Sequence, residues 1–407
     1  MRPTSVVGAL LIALMLCLPG TGRAQTGAPA DARVAVAAPS APRIGVITME
    51  PGEAFWERFG HDAIVVVDAV TGEAISYNFG FFDMSEPGFV DNFIHGRMRY
   101  QLVALPLEDD LANYEGKGRG VTMQWLDLTP AQANALAAAL VENARPENSR
   151  YTYEYFTANC ATRVRDNLDA VLGGALKQQL TTRSQGNSYR SESVRLAWPA
   201  KWMAFGFHLG LSGAADRSLS RWEESFIPMR LRDALRVVKL ADGRPLVREE
   251  LTLLPHRLSS PPTETPRWRV PALFVGIAFA AGILLLGRRH PRLLAGLALP
   301  FWIVAAALGA LMLFIWFGSA HVFGYANENL LLLSPLCLGL LPGAWGVLRG
   351  RPASVLFQRM LWLVAGSAAI AGFLKFLPFR PQENVEWVLL LLPMHWALAR
   401  TFSPKKS

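Results

Sequence analysis

Tyr151-Thr-Tyr-Glu-Tyr-Phe-Thr-Ala-Asn-Cys160 runs directly into Ala161-Thr-Arg-Val-Arg-Asp-Asn-Leu-Asp-Ala-Val-Leu172 and ends at Gly173-Gly174. Asn159 is a natural helix N-cap, the stretch after it reads as a helix, and the paired glycines supply a stop. Cys160 therefore falls in the first helical turn. There the backbone N–H groups and the helix dipole favour a thiolate and predict a lowered thiol pKa. The same N–H groups are suited to stabilising an oxyanion.

Outward from this helix, β-branched and alternating runs predict strands over 43–49, 63–68, 74–79, 99–105 and 120–126, with Thr71-Gly72 as a hairpin turn signal. Thr129-Pro130 opens a further helix through Val141. The result is an α+β domain with an antiparallel sheet. A thiol at a helix start needs a base, and His61, in Phe59-Gly60-His61-Asp62-Ala63-Ile64, sits at the mouth of the second strand. With the turn at Thr71-Gly72, residue 61 falls opposite about residue 82, leaving Asp83 and Asn78 as alternatives to orient the imidazole. His95, in a loop, and His208 and His256, among aromatic or proline residues, read as packing or surface groups.

Composition separates this domain from the remainder of the chain. The 407 residues are 51% hydrophobic and only 18% charged, with a net charge of +8 and a mean hydropathy of +0.23. A soluble domain carries about 25% charged residues, so the chain is membrane-bound, and it is neither disordered, collagen-like nor disulfide-framed. Residues 1–24 read as a secretory signal peptide, with a basic start, an apolar run from Val6 to Leu18 and small residues before the expected cut after Ala24. An Ala/Pro linker (25–43) comes next, then the catalytic domain (44–265), whose last part holds a basic amphipathic helix within Phe226–Leu240 suited to a membrane surface. The transmembrane domain (266–407) has five apolar stretches, at 270–286, 293–317, 330–348, 361–379 and 385–398.

Loop charges orient these stretches. Arg288, Arg289 and Arg292 occupy the first loop, Arg349, Arg351 and Arg359 the third, and Lys405 and Lys406 the end, whereas the second loop has no Lys or Arg and the fourth only Arg380. The alternation places the N-terminal domain outside and the C-terminus in the cytoplasm. In a Gram-negative cell that is a periplasmic domain on a multi-pass inner membrane protein. Cys17 leaves with the signal and Cys337 lies within the third stretch, so Cys160 is the one thiol left on the periplasmic side, where it has no disulfide partner.

A helix-borne Cys with a strand-borne His earlier in the chain is the order of a circularly permuted papain-like domain of the NlpC type, the group that includes lecithin:retinol acyltransferase-like enzymes. Phe55-Trp56, Phe59-Gly60-His61, Tyr77-Asn-Phe-Gly-Phe-Phe-Asp83, Asn92-Phe93, Gly96, Tyr100 and Tyr153-Glu-Tyr-Phe-Thr-Ala-Asn-Cys-Ala-Thr-Arg163 together resemble the N-terminal periplasmic domain of the Lnb-type lipoprotein N-acyltransferases. The similarity is read on through Trp198–Val247 and into His321, Asn327-Glu-Asn-Leu-Leu331 and Pro335. The resemblance implies thioester chemistry without a cofactor. Cys160 takes an acyl chain from a membrane phospholipid, His61 serves as base and then acid, and the acyl chain passes to the amine of a lipoprotein's diacylglyceryl cysteine.

Asn159, Arg163, His321, Asn327 and Asn329, with Asn78, are the expected substrate-binding groups. No metal motif or phosphate-binding loop is present, and the basic excess in membrane loops gives no reason to expect nucleic acid. An NlpC-like cell-wall peptidase or amidase, and a non-catalytic membrane scaffold, are the competing readings.

Overall fold

The computed structural model describes residues 41–182, 185–379 and 382–403. The signal peptide, the linker up to residue 40, Arg380, Lys405 and Lys406 lie outside the described residues. Among the described residues, the alternating runs form strands β1 (Arg43–Met49), β2 (His61–Val67), β3 (Ala74–Phe81), β4 (Arg99–Pro106), β5 (Val121–Leu126), β6 (Arg150–Thr152) and β7 (Val247–Leu254). They make one antiparallel sheet in the order β6-β4-β3-β2-β1-β5-β7. The first helices are α1 (Phe89–Ile94), α2 (Leu107–Gly116), α3 (Pro130–Asn143), α4 (Cys160–Val171), α5 (Ala175–Thr181), α6 (Tyr189–Ala197), α7 (Lys201–Gly210), α8 (Arg221–Glu224) and α9 (Pro228–Leu235).

Strand alternation assigns the two faces of the sheet. Ile44, Val46, Ile64, Tyr77 and Phe79 pack on α3, α4, α5 and α9, while Ile47, Met49, Ala63, Val65 and Met123 pack with Tyr114 of α2 on the other side. Strands β6 and β7 carry little sequence signal. β6 is three residues long, and β7 is an exposed edge strand containing Arg248, Glu249 and Glu250, the charged character that keeps an edge from pairing with another chain. The β2–β3 register pairs Ala63 with Asn78, so the ladder continued by two residues sets His61 opposite Gly80 rather than residue 82. Asp68 causes the offset. Its carboxylate accepts from Val70 N and Thr71 N, centring the turn earlier than Thr71-Gly72.

The basic helix expected within Phe226–Leu240 is α9, and it is not a membrane-surface element. Leu231, Ala234 and Leu235 are buried in the core, Arg230 pairs with Glu192, and Arg232 pairs with Glu50. Its charge is consumed inside the domain. Helices α6 and α7 instead lead to the membrane part.

That part comprises α10 (Arg269–Arg289), α11 (Pro291–Gly318), α12 (Leu341–Leu348), α13 (Val355–Leu374) and α14 (Val385–Phe402). Among the described residues, four segments are long and apolar enough to cross a membrane: Arg269–Arg289, Pro291–Gly318, Val322–Leu348 and Val355–Leu374. The third is not one continuous helix. Short 3-10 turns at Glu328–Leu331 and Pro335–Leu340 precede α12. Breaking a helix inside an apolar layer frees carbonyls that must find donors. Ser367 Oγ donates to Leu331 O and His395 Nε2 to Leu332 O.

Helix α14 lies parallel to α10. Gly276 abuts the Leu389 carbonyl and Gly287 abuts Thr401, and at Gly276 a Cβ would stand 2.3 Å from that oxygen, so only glycine permits the approach. Arg292, at the start of α11, lies against Gly350, so the two arginine-rich loops share one end of the bundle. The sheet-bearing half meets the opposite end.

That meeting is made by buried polar side chains. Asn327 Nδ2 donates to Leu209 O at 2.9 Å and Gly210 O at 3.0 Å, and Asn329 Nδ2 to Leu209 O at 2.8 Å. Gln382 donates to Asn327 Oδ1 and Asn384 to Asn329 Oδ1. Lys375 turns into this cluster and bonds Glu328, Asn384 and the Gln382 carbonyl. Removing one partner of a buried ion pair costs about 3–5 kcal/mol because the other charge is left uncompensated. Lys375→Met is therefore expected to lower the thermal midpoint in detergent sharply. The double variant Lys375→Met/Glu328→Leu should recover part of the loss, and a single variant as stable as the parent would show that the pair contributes nothing to stability.

Candidate active site

Helix α4 is started by Asn159, whose Oδ1 accepts from Thr162 N at 2.9 Å while Thr162 Oγ1 accepts from Asn159 N at 2.8 Å. Such a cap is worth about 1 kcal/mol. The other half of the amide donates to Phe226 O and Tyr155 O, each at 2.8 Å, so every polar atom of Asn159 is used in positioning the helix. Cys160 follows as the first helical residue, half-buried at one end of the sheet. Val164 and Leu168 anchor the helix in the core.

The backbone N–H groups of Asp62, Ala161 and Cys160 itself point at the thiol sulfur. These donors favour a thiolate, yet burial, reinforced by the negative charge of Asp62, wins and pushes the thiol up to about 12. The lowered pKa expected from the helix start is thus reversed. The free protein holds Cys160 as a thiol.

Asp62 is the reason this pocket is unusual. Its side chain is fully buried, with Oδ1 accepting from Thr48 Oγ1 at 2.7 Å and Oδ2 unpartnered, and burial raises its carboxyl to about 7. Nothing in the sequence around His61 distinguishes it from an ordinary strand residue.

His61 begins β2 one residue before the N–H that faces the sulfur. Opposite His61, Gly80 has φ +93°, and a Cβ there would lie 3.8 Å from Cys160 Cβ, so strand, bulge and helix start converge. The register slips between Phe79 and Phe81 at this point. His61 Nε2 lies 3.0 Å from Asn78 Oδ1. The Asn78 amide is oriented by its other end, since Nδ2 donates to Asp110 Oδ2 and Ser76 Oγ, each at 3.0 Å, and Ser76 Oγ also donates to Asp110. Asn78 Oδ1 only accepts, so Nε2 carries the proton and Nδ1 is the basic nitrogen. Burial lowers the imidazole pKa, opposed by Asp110 and aided by Arg119. Burial thus disfavours the charged form of the imidazole as it does that of the thiol.

Between the two sequence alternatives, the structure sets Asn78 against the imidazole. Asp83 is exposed on the loop after β3, bonds Ser85, and lines a polar surface pocket with Glu86, Arg99 and Arg150. The shift in hairpin register is what separates Asp83 from the position expected for it beside His61. Asp110 and Arg119 had no sequence signal, because α2 and the loop after it come to His61 only through the sheet. Arg119 is buried, donates through Nε to Glu50 O, and keeps Nη2 unpartnered. Its guanidinium lies over the Tyr114 ring at 4.7 Å, on the α2 face of the sheet.

The other expected substrate-binding residues divide. Arg163 lies over the Tyr151 ring at 4.4 Å, beside the aromatic wall next to Cys160. His321 reaches α1, with Nε2 donating to Phe93 O at 3.0 Å and its ring stacked on Tyr155. Asn327 and Asn329 are not brought to the thiol. Their amides are consumed in the junction with α7, as Asn159 is consumed in its cap. Among the described residues no cluster of His, Cys, Asp or Glu is arranged to hold a metal ion.

Residues 33–195 match the family of the Lnb N-terminal periplasmic domain. That stretch is a Lnb-type N-terminal periplasmic domain, and with four segments able to cross a membrane the chain is a membrane protein with a periplasmic N-terminal domain. The match ends within α6, so the similarity read in Trp198–Val247 and in the membrane half lies beyond it. Neither a curated protein nor a solved structure matches the chain.

The raised thiol predicts a specific reactivity. Alkylation of Cys160 by iodoacetamide at pH 8 is expected to be at least about 100-fold slower than that of a free cysteine, whose pKa is about 8.5, and to keep rising without a plateau to about pH 10. Asp62→Asn removes the charge that opposes the thiolate and should shift the profile to lower pH. A plateau below pH 8 in the parent protein would mean a resting thiolate–imidazolium pair instead.

Proposed function

We propose that this protein is a cysteine-dependent acyltransferase that N-acylates lipoproteins, with the papain-like, permuted arrangement of His61 before Cys160. The observation that carries the reading is a helix-start thiol beside Gly80, the residue that continues the ladder opposite His61, with backbone N–H groups of Asp62, Ala161 and Cys160 favouring its thiolate and the His61 imidazole held by Asn78.

In this reading a phospholipid ester enters beside Cys160, and His61 Nδ1 takes the thiol proton as sulfur attacks the ester carbonyl carbon. The oxyanion is met by the N–H groups at the helix start. The C–O bond breaks, His61 returns the proton to the departing lysolipid oxygen, and a thioester remains on Cys160. A neutral α-amine of a diacylglyceryl cysteine then attacks the thioester carbonyl carbon, His61 removes the amine proton, and the C–S bond breaks to release the amide and restore the thiol.

Five crossings place the C-terminus in the cytoplasm and the arginine-rich loops inside, consistent with an inner membrane location. Support for the fifth comes from α14, which follows α10 from Gly276 to Gly287.

Mass spectrometry of a diacylated lipopeptide incubated with the purified protein in phospholipid vesicles is expected to show one added amide-linked acyl chain, absent with Cys160→Ala. An acyl adduct on Cys160 without transfer would retain the donor and discard the acceptor. Neither product would leave the cell-wall peptidase reading. With the same assay, Asn78→Ala should slow thioester formation about 10–100-fold, since mispositioning a catalytic group costs that order, whereas Asp83→Ala should leave it unchanged.

A further inference from the structure

Two segments of the sheet-bearing half expose large apolar side chains on the side where it joins the membrane helices. Helix α1 presents Val90, 64% exposed, with Phe93 and Ile94, and the turn before β2 presents Phe55 and Trp56. Isolated surface hydrophobes are ordinary, but these are grouped and lie against the outer end of a membrane helix. Ala320 N donates to His95 O at 2.8 Å, His321 bonds Phe93 O, and the His95 ring packs on Phe314 of α11. Within the next turn of α11, Trp316 and Phe317 stack on each other, and Phe317 is 75% exposed. The apolar surface of α1 is therefore continuous with the outer rim of a spanning helix.

Behind that rim, aromatic rings lead inward without interruption. Trp56 meets Phe82 at 6.3 Å, Phe82 meets Phe89 at 5.7 Å and Tyr100 at 4.9 Å, and Tyr100 meets Tyr153 at 4.4 Å. Tyr153 in turn borders Gly80, where the Cys160 Cβ is in van der Waals range. The ladder starts at the membrane rim and ends at the thiol.

We infer that α1, with the Phe55-Trp56 turn, enters the outer leaflet and forms a lateral doorway through which a lipid acyl chain slides along the aromatic ladder to Cys160. Its apolar residues take the place in the hydrocarbon boundary that an interfacial helix takes. Asp91, paired with Arg97 and His95 on the same turn, stays at headgroup level. The occupant is the acyl chain of an outer-leaflet phospholipid, because the rim is continuous with α11 and the ladder offers ring faces and edges rather than charges. The inference rests on the acyl-transfer reading for its purpose but not for its test.

The test uses the full-length Cys160→Ala chain, which performs no thiol chemistry, with Val90→Cys or Ile94→Cys carrying an NBD fluorophore. Val70→Cys, at the far end of β2 in the turn to β3, is the reference. In phosphatidylethanolamine/phosphatidylglycerol vesicles containing doxyl-labelled lipid, emission from positions 90 and 94 should shift to the blue and be quenched about twofold or more, as for groups at the acyl boundary, while position 70 is unaffected. Quenching at 90 and 94 no greater than at 70 would overturn the doorway. Quenching with neither an acyl adduct on Cys160 nor lipopeptide acylation by the Cys160-bearing protein would uphold the membrane contact and remove the acyltransferase reading instead.

Discussion

The junction between Asn327, Asn329, Gln382, Asn384, Lys375 and Glu328 and the end of α7 is the constraint on which the rest of this protein depends. Each amide uses both ends, one on a backbone carbonyl or partner amide of the neighbouring element and one within the cluster. In a buried setting such donors and acceptors are costly to leave unmade, so the network permits one relative placement of the two halves. The described residues from 41 onward accordingly form one compact unit. A flexible tether would hold the sheet near the membrane, but it would not hold the Cys160 end at one height above it.

At that height, burial sets the electrostatics of the Cys160 end. Helix dipole and backbone N–H groups favour the thiolate, and burial beside the Asp62 carboxylate opposes it more strongly. Burial likewise lowers the pKa of the imidazole, whose tautomer is set by an asparagine oriented in turn by Asp110. Polar groups that resemble substrate ligands in the sequence prove to be structural, since Asn159 caps α4 and the loop asparagines fasten the halves together. Buried polar atoms of Asp62, Arg119 and Tyr151 are among those in the fold left without a hydrogen-bond partner. Native interiors rarely leave such atoms unpaired, and sites of chemistry are where they do.

The five main strands, the helix opened by Thr129-Pro130, the cap at Asn159, the position of Cys160 and the apolar stretches were legible in the sequence because each is a local pattern. Alternation, a capping residue, a proline at the first helical position and an uninterrupted apolar run are written within a short stretch of chain. What was not legible lay between segments. The hairpin register depended on an Asp68 turn, β7 paired only as a charged edge, and α9 committed its arginines to Glu192 and Glu50 rather than to the membrane.

By itself, the sequence determined that a thiol begins a capped helix, that a histidine begins a strand before it, and that a strongly apolar half follows. Those are consequences of backbone propensity and of side-chain partition between water and hydrocarbon. Only the tertiary structure decided that Asn78 rather than Asp83 holds His61, that the Asp62 carboxylate comes to act on the thiol, and that Lys375 turns inward. Each of these depends on burial and on partners distant in the chain, and the low polarity that fixes a pKa or a hydrogen bond exists only once the packing has closed around it.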